Sequence, residues 1–136
     1  MILLVDTSVW SLALRRDQSP DVPEVHALRE ALVGDDLVVT TGIILQELLQ
    51  GFSGPRAGRD IIKQFAALPL LAPDRRDHID AAELRNKCRR AGVQIGTVDA
   101  LIAQICIRNG LTLLTADKDF VIASRHCSLQ VWKRAR

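Results

Sequence analysis

Carboxylates follow two apolar runs of this 136-residue chain and begin a third apolar segment. Asp6 ends the run ILLV, Asp117 and Asp119 follow LTLLT, and Asp99 lies at the start of DALIAQIC. A carboxylate at the end of a buried strand is costly unless its charge is used. Carboxylates gathered in one place stay ionised only when a cation or strong donors balance them. Hard oxygen ligands of this type suit Mg²⁺ or Mn²⁺.

Each of these aspartates also has a purely structural explanation. Asp6 could cap the helix that follows it, and Asp117 or Asp119 could cap a short helix near Phe120. Asp99 in a first helical turn is favoured by the helix dipole alone. The structural explanations are weaker when the aspartates are considered together. The carboxyl ends of parallel strands meet at one edge of a sheet, where ligands bind, so these acids would lie close to one another. The residues alone leave both interpretations open.

Short apolar runs alternate with helical patterns along the chain, which predicts an α/β protein. We predict strands at 2–5, 37–39, 70–71, 111–115 and 129–132. We predict helices at 9–16, 24–33, 41–52, 75–91 and 117–124, with one further helix that ends at about residue 68 and another that ends at Gly110. Thr7 or Ser8 is the expected cap of the first helix. Strands separated by helices imply parallel pairing with helices on both faces. The expected architecture is a single domain over residues 1–136, a three-layer α/β/α sandwich with a four- or five-stranded parallel sheet.

Composition limits the class of protein. Hydrophobic residues make up 48% and charged residues 25%, so the chain can bury a core. No apolar stretch approaches the roughly 18 residues that span a bilayer, and the N-terminus lacks a signal segment. We therefore expect a cytoplasmic protein without membrane contact. Cys88 and Cys106 fall on apolar helical stripes, so buried free thiols are expected rather than metal ligands.

Glu47 is not singled out by pattern. Ile44, Leu48 and Phe52 belong to the apolar face of its helix, and Glu47 lies toward the polar side. By composition it is an ordinary exposed glutamate.

Four segments in order resemble the PIN domain, and specifically the VapC-type toxins, which are the ribonuclease halves of bacterial toxin–antitoxin pairs. The segments are VDTSVW at 5–10, QELLQG at 46–51, TVDALIAQ at 97–104 and LLTADKDF at 113–120. The resemblance covers nearly the whole chain, from Ile2 to about Trp132. Its specificity comes from the order and spacing of the four segments. It implies a PIN-like fold and the activity of a metal-dependent endoribonuclease.

The resemblance also implies the site. Its catalytic and metal-binding quartet is Asp6, Glu47, Asp99 and Asp117, with Asp119 as a fifth metal ligand and Ser8 and Thr115 as supporting hydroxyls. Such carboxylates hold one or two Mg²⁺ ions, with Mn²⁺ as the alternative, and a bound ion lowers the pKa of water to give a nucleophile. Cleavage would leave a 5′-phosphate and a 3′-hydroxyl.

Three partners follow from the same resemblance: a VapB-like antitoxin that covers the acidic pocket, a second copy of the chain in a homodimer, and an RNA substrate. Trp10 and Leu14 are expected to pack in the core, with the antitoxin contact as the alternative. The candidate RNA contacts are Arg15, Arg16, Arg85 and Arg89. Aromatic residues are only 4% and tyrosine is absent, which disfavours a stacking platform for unpaired bases. A structured RNA such as tRNA or rRNA, recognised by its shape, is the expected substrate.

Other classes fit less well. A phosphoacceptor receiver domain needs an acidic pair after its first strand, and here Asp6 stands alone. A haloacid-type phosphatase needs DxDxT, and nucleotide-binding folds need GxGxxG or GxxxxGK, all of which are absent. A non-catalytic or regulatory binding module, PIN-like or receiver-like, is the remaining alternative.

Overall fold

The computed structural model of the chain describes residues 1–15 and 21–134, which form five strands and seven helices. The strands are β1 (Ile2–Val5), β2 (Leu37–Thr41), β3 (Leu70–Leu71), β4 (Thr112–Leu114) and β5 (Gln130–Val131). The helices are α1 (Thr7–Ala13), α2 (Pro23–Val33), α3 (Gly42–Gly51), α4 (Pro55–Phe65), α5 (Arg75–Arg90), α6 (Thr97–Asn109) and α7 (Lys118–Ala123).

The five strands form one sheet in the order β3-β2-β1-β4-β5, and every neighbouring pair is parallel. The chain adds β2 and β3 on one side of β1 and then returns to add β4 and β5 on the other. Because crossovers between parallel strands are right-handed, this reversal places α1–α4 on one face and α5–α7 on the other. The predicted α/β sandwich with a parallel sheet is confirmed, and the sheet has five strands.

The strand order reverses between β1 and β4. Val5 pairs with Leu114, and the backbone N–H of Asp6 donates to the carbonyl of Leu114 at 2.9 Å. In open α/β sheets, ligands bind beyond the carboxyl ends of the strands at such a reversal. Asp6 therefore lies at the place where this architecture builds a site.

The central strands of the sheet are buried on both sides. Leu4, Val5 and Leu114 are fully buried, and each such side chain stabilises the fold by about 1.5–3 kcal/mol. Trp10 packs against Phe65 with ring centroids 4.8 Å apart and is 1% exposed. Trp10 is thus a core residue, and the suggestion that it contacts an antitoxin is wrong.

Several element boundaries differ from the predictions. Helix α1 begins at Thr7 rather than at Val9 and ends at Ala13, and no side chain caps its start, so the predicted capping by Thr7 or Ser8 is wrong. Strand β2 continues through two threonines to Thr41, because β-branched residues favour extended backbone. The predicted stop of α6 at Gly110 is confirmed, since Gly110 has a left-handed φ of 64°.

The cysteine prediction is confirmed: Cys88 and Cys106 are buried free thiols. Within the described ranges, the structure contains no helix with the length and apolar character of a membrane span.

Two arginines fix α6 against α5, one at each end of α6. At its C-terminal end, Arg108 Nη1 bonds Asp77 Oδ2 at 2.6 Å and Asp74 Oδ2 at 2.9 Å. Just before its N-terminal end, Arg85 Nε donates to the carbonyl of Ile95 at 2.9 Å. These contacts hold in place the helix that carries Asp99.

Candidate active site

Asp6 is the buried centre of the site. It follows β1 directly, occupies the N-cap position of α1 in extended backbone, and is 6% exposed. Its Oδ2 accepts hydrogen bonds from Ser8 Oγ at 2.7 Å and from Thr115 Oγ1 at 3.0 Å. Both donors reach the same oxygen, so Oδ1 receives no side-chain hydrogen bond from the described residues. The carboxylate is fixed in orientation by one oxygen and keeps the other for a ligand.

The two hydroxyl groups are themselves oriented by backbone donors. Ser8 Oγ accepts from the N–H of Ala116, and Thr115 Oγ1 accepts from the N–H of Asp117, each at 3.0 Å. Because these N–H groups occupy hydroxyl lone pairs, the hydroxyl protons are left to point at Asp6. Ser8 therefore joins the start of α1 to the loop after β4 instead of capping its own helix.

Glu47 lies on the exposed side of α3, with Ile44 and Leu48 of the same helix in the core. Its Oε1 accepts a hydrogen bond of 2.9 Å from Thr7 Oγ1. Thr7 follows Asp6 directly, and its hydrogen bond thus connects Glu47 to the chain beside Asp6. Sequence reasoning missed Thr7 as a site residue, since no local pattern pairs side chains so far apart in the chain.

Asp117 and Asp119 lie together at the start of α7. Asp117 is the N-cap of this helix, and its Oδ1 accepts the backbone N–H of Asp119 at 2.9 Å. The structural explanation of Asp117 as a capping residue is therefore correct, and the cap uses one of its two oxygens. Asp117 is half-buried and Asp119 is exposed.

Asp99 is the half-buried carboxylate of the site, in the first turn of α6. Burial raises its pKa, and the negative charges of Asp6, Asp117, Glu47 and Asp119 raise the pKa further, to about 6. This repulsion means that the four other acids lie near Asp99. Glu47 belongs to the group although the strand-end argument did not include it.

The donor set of this acidic edge fits Mg²⁺. Over residues 1–15 and 21–134, no three His, Cys, Asp or Glu side chains are arranged as a ready-made cage for a metal ion. Mg²⁺ does not need such a cage, because it keeps several waters and binds proteins through one or two carboxylates. Four carboxylates that raise the pKa of a fifth, Asp99, create a repulsion that a divalent ion relieves.

Cys106 lies near the acidic edge and takes no part in it. Burial, and then the charge of Asp6, raise the pKa of the Cys106 thiol to about 12. The thiol therefore stays protonated at neutral pH and is unsuited to ligate a metal ion.

A buried hydroxyl at the end of β2 was also missed. Leu4 pairs with Val39, so Thr41 lies level with Asp6 on the neighbouring strand. The Thr41 hydroxyl is buried and has no hydrogen-bond partner within the described part of the chain, and the same holds for Thr40. The only signal in the sequence is two polar residues that end an otherwise apolar strand.

The four predicted RNA contacts differ in exposure and position. Arg15 is exposed just after α1, and Arg16 falls outside the described residues. Arg85 is half-buried through its bond to Ile95, and Arg89 is exposed one turn further along α5. Their role in RNA binding stays a prediction.

Comparison with known proteins finds similarity over nearly the whole chain. The family model of the PIN domain matches residues 3–125. Ribonuclease VapC11 of Mycobacterium tuberculosis strain H37Rv is 30% identical over 133 residues, which cover 95% of this chain and 96% of that protein.

Two solved structures are similar in fold. VapBC2 from Rickettsia felis, bound to a DNA fragment from its promoter, has a TM-score of 0.75 at 24% identity and covers 97% of this chain and 98% of that chain. VapC20 of Mycobacterium tuberculosis, a toxin that cleaves the sarcin–ricin loop, has a TM-score of 0.65 at 22% identity and covers 89% and 94%. At these identities the likeness concerns the fold alone.

Proposed function

Because the chain belongs to the PIN domain family, and within it to the VapC proteins, we propose that it is a Mg²⁺-dependent endoribonuclease, the toxin of a type II toxin–antitoxin system. One observation carries the proposal: the pKa of half-buried Asp99 is raised to about 6, by burial and by four other carboxylates at the reversal point of the sheet. A protein with no use for a cation would lose stability by keeping five acids together. The alternative of a non-catalytic or receiver-like module is not favoured, since the 30% identical relative is named a ribonuclease.

Asp6 and Asp99 are the proposed direct ligands of the ion, and Glu47 and Asp117 complete its surroundings directly or through water. Asp6 has Oδ1 available for this role, because Oδ2 is held by Ser8 and Thr115. When bound, the ion would activate water at neutral pH and neutralise the charge that grows on the phosphoryl oxygens.

The protein's own groups account for positioning and proton movement. Asp99 has a pKa near 6 and must release its proton before it can act as a ligand, which favours activity above this pH. Thr7 holds Glu47 Oε1 through a hydrogen bond, and we assign this exposed carboxylate the role of taking a proton from the attacking water. Hydrolysis of this type leaves a 5′-phosphate and a 3′-hydroxyl.

The proposed partners are a VapB-like antitoxin, a second copy of the chain in a homodimer, and a structured RNA such as tRNA or rRNA, all met in the cytoplasm. Leu14 and Phe52 line an apolar groove of about 480 Å³ beside Pro55 and Ile61. This groove, on the same face of the sheet as α1, is where we expect an antitoxin segment to begin before it covers the acidic edge.

The test is cleavage of an end-labelled tRNA and an rRNA fragment by the purified chain, with Mg²⁺ and with excess chelator. We expect cleavage with Mg²⁺ only, products that carry a 5′-phosphate, and inhibition by the antitoxin. Equal cleavage with chelator would overturn the metal-dependent mechanism. An antitoxin complex that forms normally with no cleavage of either RNA would instead support the binding-module alternative.

A further inference from the structure

A small basic cavity lies between the end of α5 and the loop that leads into α6. Its volume is about 280 Å³, and its lining residues are Arg85, Arg89, Val93, Gln94 and Ile95. Three of these five side chains are polar, and the two charged ones are both arginines. Among the described residues, no carboxylate lines the cavity.

Arg85 is held in place without being neutralised. Its Nε–H donates to the carbonyl of Ile95, a neutral acceptor, and the side chain is half-buried. Within residues 1–15 and 21–134, neither Arg85 nor Arg89 forms an ion pair with a carboxylate. A partly desolvated guanidinium without a counter-charge is costly, and a fixed planar fork is pre-arranged for an anion.

The acidic side chains of α5 lie elsewhere. Asp80 and Glu83 line a different cavity, which they share with Lys87 and Arg90. Arg90 therefore has the same charge and nearly the same position in sequence as Arg89, in a setting where carboxylates are present. Arg85 and Arg89 therefore line a cavity without described carboxylates, whereas Lys87 and Arg90 line one that also contains Asp80 and Glu83. This difference distinguishes Arg85 and Arg89 from an ordinary charged helix surface.

The cavity is close to the acidic edge. Ile95 precedes Gly96, the N-cap of α6, and Asp99 follows Gly96 by three residues, a rise of about 4.5 Å along the helix axis. A polyanion that approaches five carboxylates needs cations beside them to offset the repulsion. Phosphate oxygens match the paired N–H donors of guanidinium groups.

We propose that Arg85, Arg89 and Gln94 form a subsite for one backbone phosphate of the RNA, next to the phosphate that is cleaved. The inference rests on the proposed ribonuclease function and adds to it a defined place where the substrate strand is held. Arg85 is the fixed half of the subsite, because Ile95 orients it. Arg89 is the exposed half that closes on the phosphate.

The test compares Arg89→Gln with the matched control Arg90→Gln. Binding of a fluorescently labelled tRNA is measured by anisotropy with chelator present, so that no cleavage occurs, over a series of salt concentrations. We expect Arg89→Gln to weaken binding and to lower the slope of log K against log salt by about 0.7–0.9, the value for one lost phosphate contact. Arg90→Gln keeps the wild-type affinity and slope. Arg85→Lys, which retains the charge without the planar fork, is expected to weaken binding while changing the slope little.

Two results would overturn the subsite: equal slopes and affinities for wild type and Arg89→Gln, or equal losses in Arg89→Gln and Arg90→Gln. Loss of antitoxin binding by Arg89→Gln with unchanged RNA binding would reassign the cavity to a protein partner. Thermal melting of each variant checks that the exposed substitution leaves the fold intact.

The binding test also stands apart from the catalytic proposal. If the wild type cleaves no RNA, and the slope of log K against log salt falls in Arg89→Gln but not in Arg90→Gln, the subsite holds and the ribonuclease proposal fails. If wild type cleaves RNA and the slopes are equal, the ribonuclease proposal holds and the subsite fails.

Discussion

Thr7 and Glu47 are 40 residues apart in the chain, and Thr7 Oγ1 donates a hydrogen bond of 2.9 Å to Glu47 Oε1. The bond joins the first residue of α1 to the middle of α3. It directs an otherwise ordinary exposed glutamate toward the acidic edge, where its charge contributes to the raised pKa of Asp99. The position of Glu47 is thus set by tertiary structure rather than by its own helix.

Substitution Thr7→Val removes this hydrogen bond while keeping the shape of the side chain. We expect RNA cleavage to fall about tenfold in kcat, since a hydrogen bond to a charged group is worth about 1.5–3 kcal/mol and part of it is replaced by water. Thr7→Ser keeps the hydroxyl and serves as the control, with activity near wild type. Wild-type kcat in Thr7→Val would show that Thr7 does not position Glu47.

Asp99 predicts how stability depends on pH when divalent ions are absent. Its pKa is about 6 in the folded chain against an ordinary 3.8, so between these values the folded state holds a proton that the unfolded state has released. Stability therefore falls as pH rises from about 4 to about 6. Urea unfolding with chelator across this range measures the slope, which Asp99→Asn should make flatter.

The exposed Asp35 provides a control, because Asp35→Asn should keep the wild-type slope. Mg²⁺ should also stabilise the protein more at pH 7 than at pH 5, since the ion competes with the proton on Asp99. Identical slopes for wild type and Asp99→Asn would contradict the assignment of the raised pKa to this residue.

The arginine contact at the C-terminal end of α6 predicts a difference between two aspartates of α5. Asp77 is 2% exposed, caps the helix reciprocally with Asp74 and accepts from Arg108, whereas Asp80 pairs with Arg76 near the surface. We expect Asp77→Ala to destabilise the fold by about 2 kcal/mol, because it removes a buried carboxylate that accepts hydrogen bonds from Arg108 and from the backbone N–H of Asp74. Asp80→Ala should cost less than about 0.5 kcal/mol. Chemical denaturation measures both, and equal effects would refute the special role of Asp77.

Thr40 predicts a stabilising change close to the site. Its buried hydroxyl has no hydrogen-bond partner within the described ranges, and the residue is 0% exposed. Thr40→Val replaces the hydroxyl with a methyl group of similar size, which we expect to stabilise the fold by about 1 kcal/mol. The melting temperature should rise with no change in RNA cleavage. A lower melting temperature would contradict the assignment of Thr40 as an unpaired hydroxyl.

The sequence allowed much of the fold and part of the site to be predicted. The apolar runs that end in Asp6 and precede Asp117 marked two neighbouring strands, and the alternation with helices predicted the parallel sheet. These features are local, because strand burial and helix periodicity are written in consecutive residues. Asp6, Asp99 and Asp117 could therefore be assigned to one edge of the sheet from the sequence.

Glu47 and Thr7 could not be found in the same way. Glu47 has the pattern of a solvent-exposed residue, and only the resemblance to the PIN domain indicated it. Thr7 and Ser8 were expected to cap α1, which is what such residues do when the nearest acceptors and donors are local. In the folded chain their hydroxyls instead bond Glu47 and Asp6. Whether a hydroxyl caps its own helix or bonds a distant carboxylate depends on which acceptors the tertiary fold brings near that hydroxyl.

The proposed metal-dependent ribonuclease activity depends most on Asp6, whose Oδ1 receives no side-chain hydrogen bond from the described residues. The most direct measurement is single-turnover cleavage of a labelled RNA with Mg²⁺ by wild type, Asp6→Asn and the exposed control Asp35→Asn, with melting temperatures recorded for all three. We expect Asp6→Asn to reduce cleavage by at least about a hundredfold, since the metal site loses a charged ligand, and Asp35→Asn to cleave at the wild-type rate. Wild-type cleavage by a folded Asp6→Asn would contradict this role of Asp6.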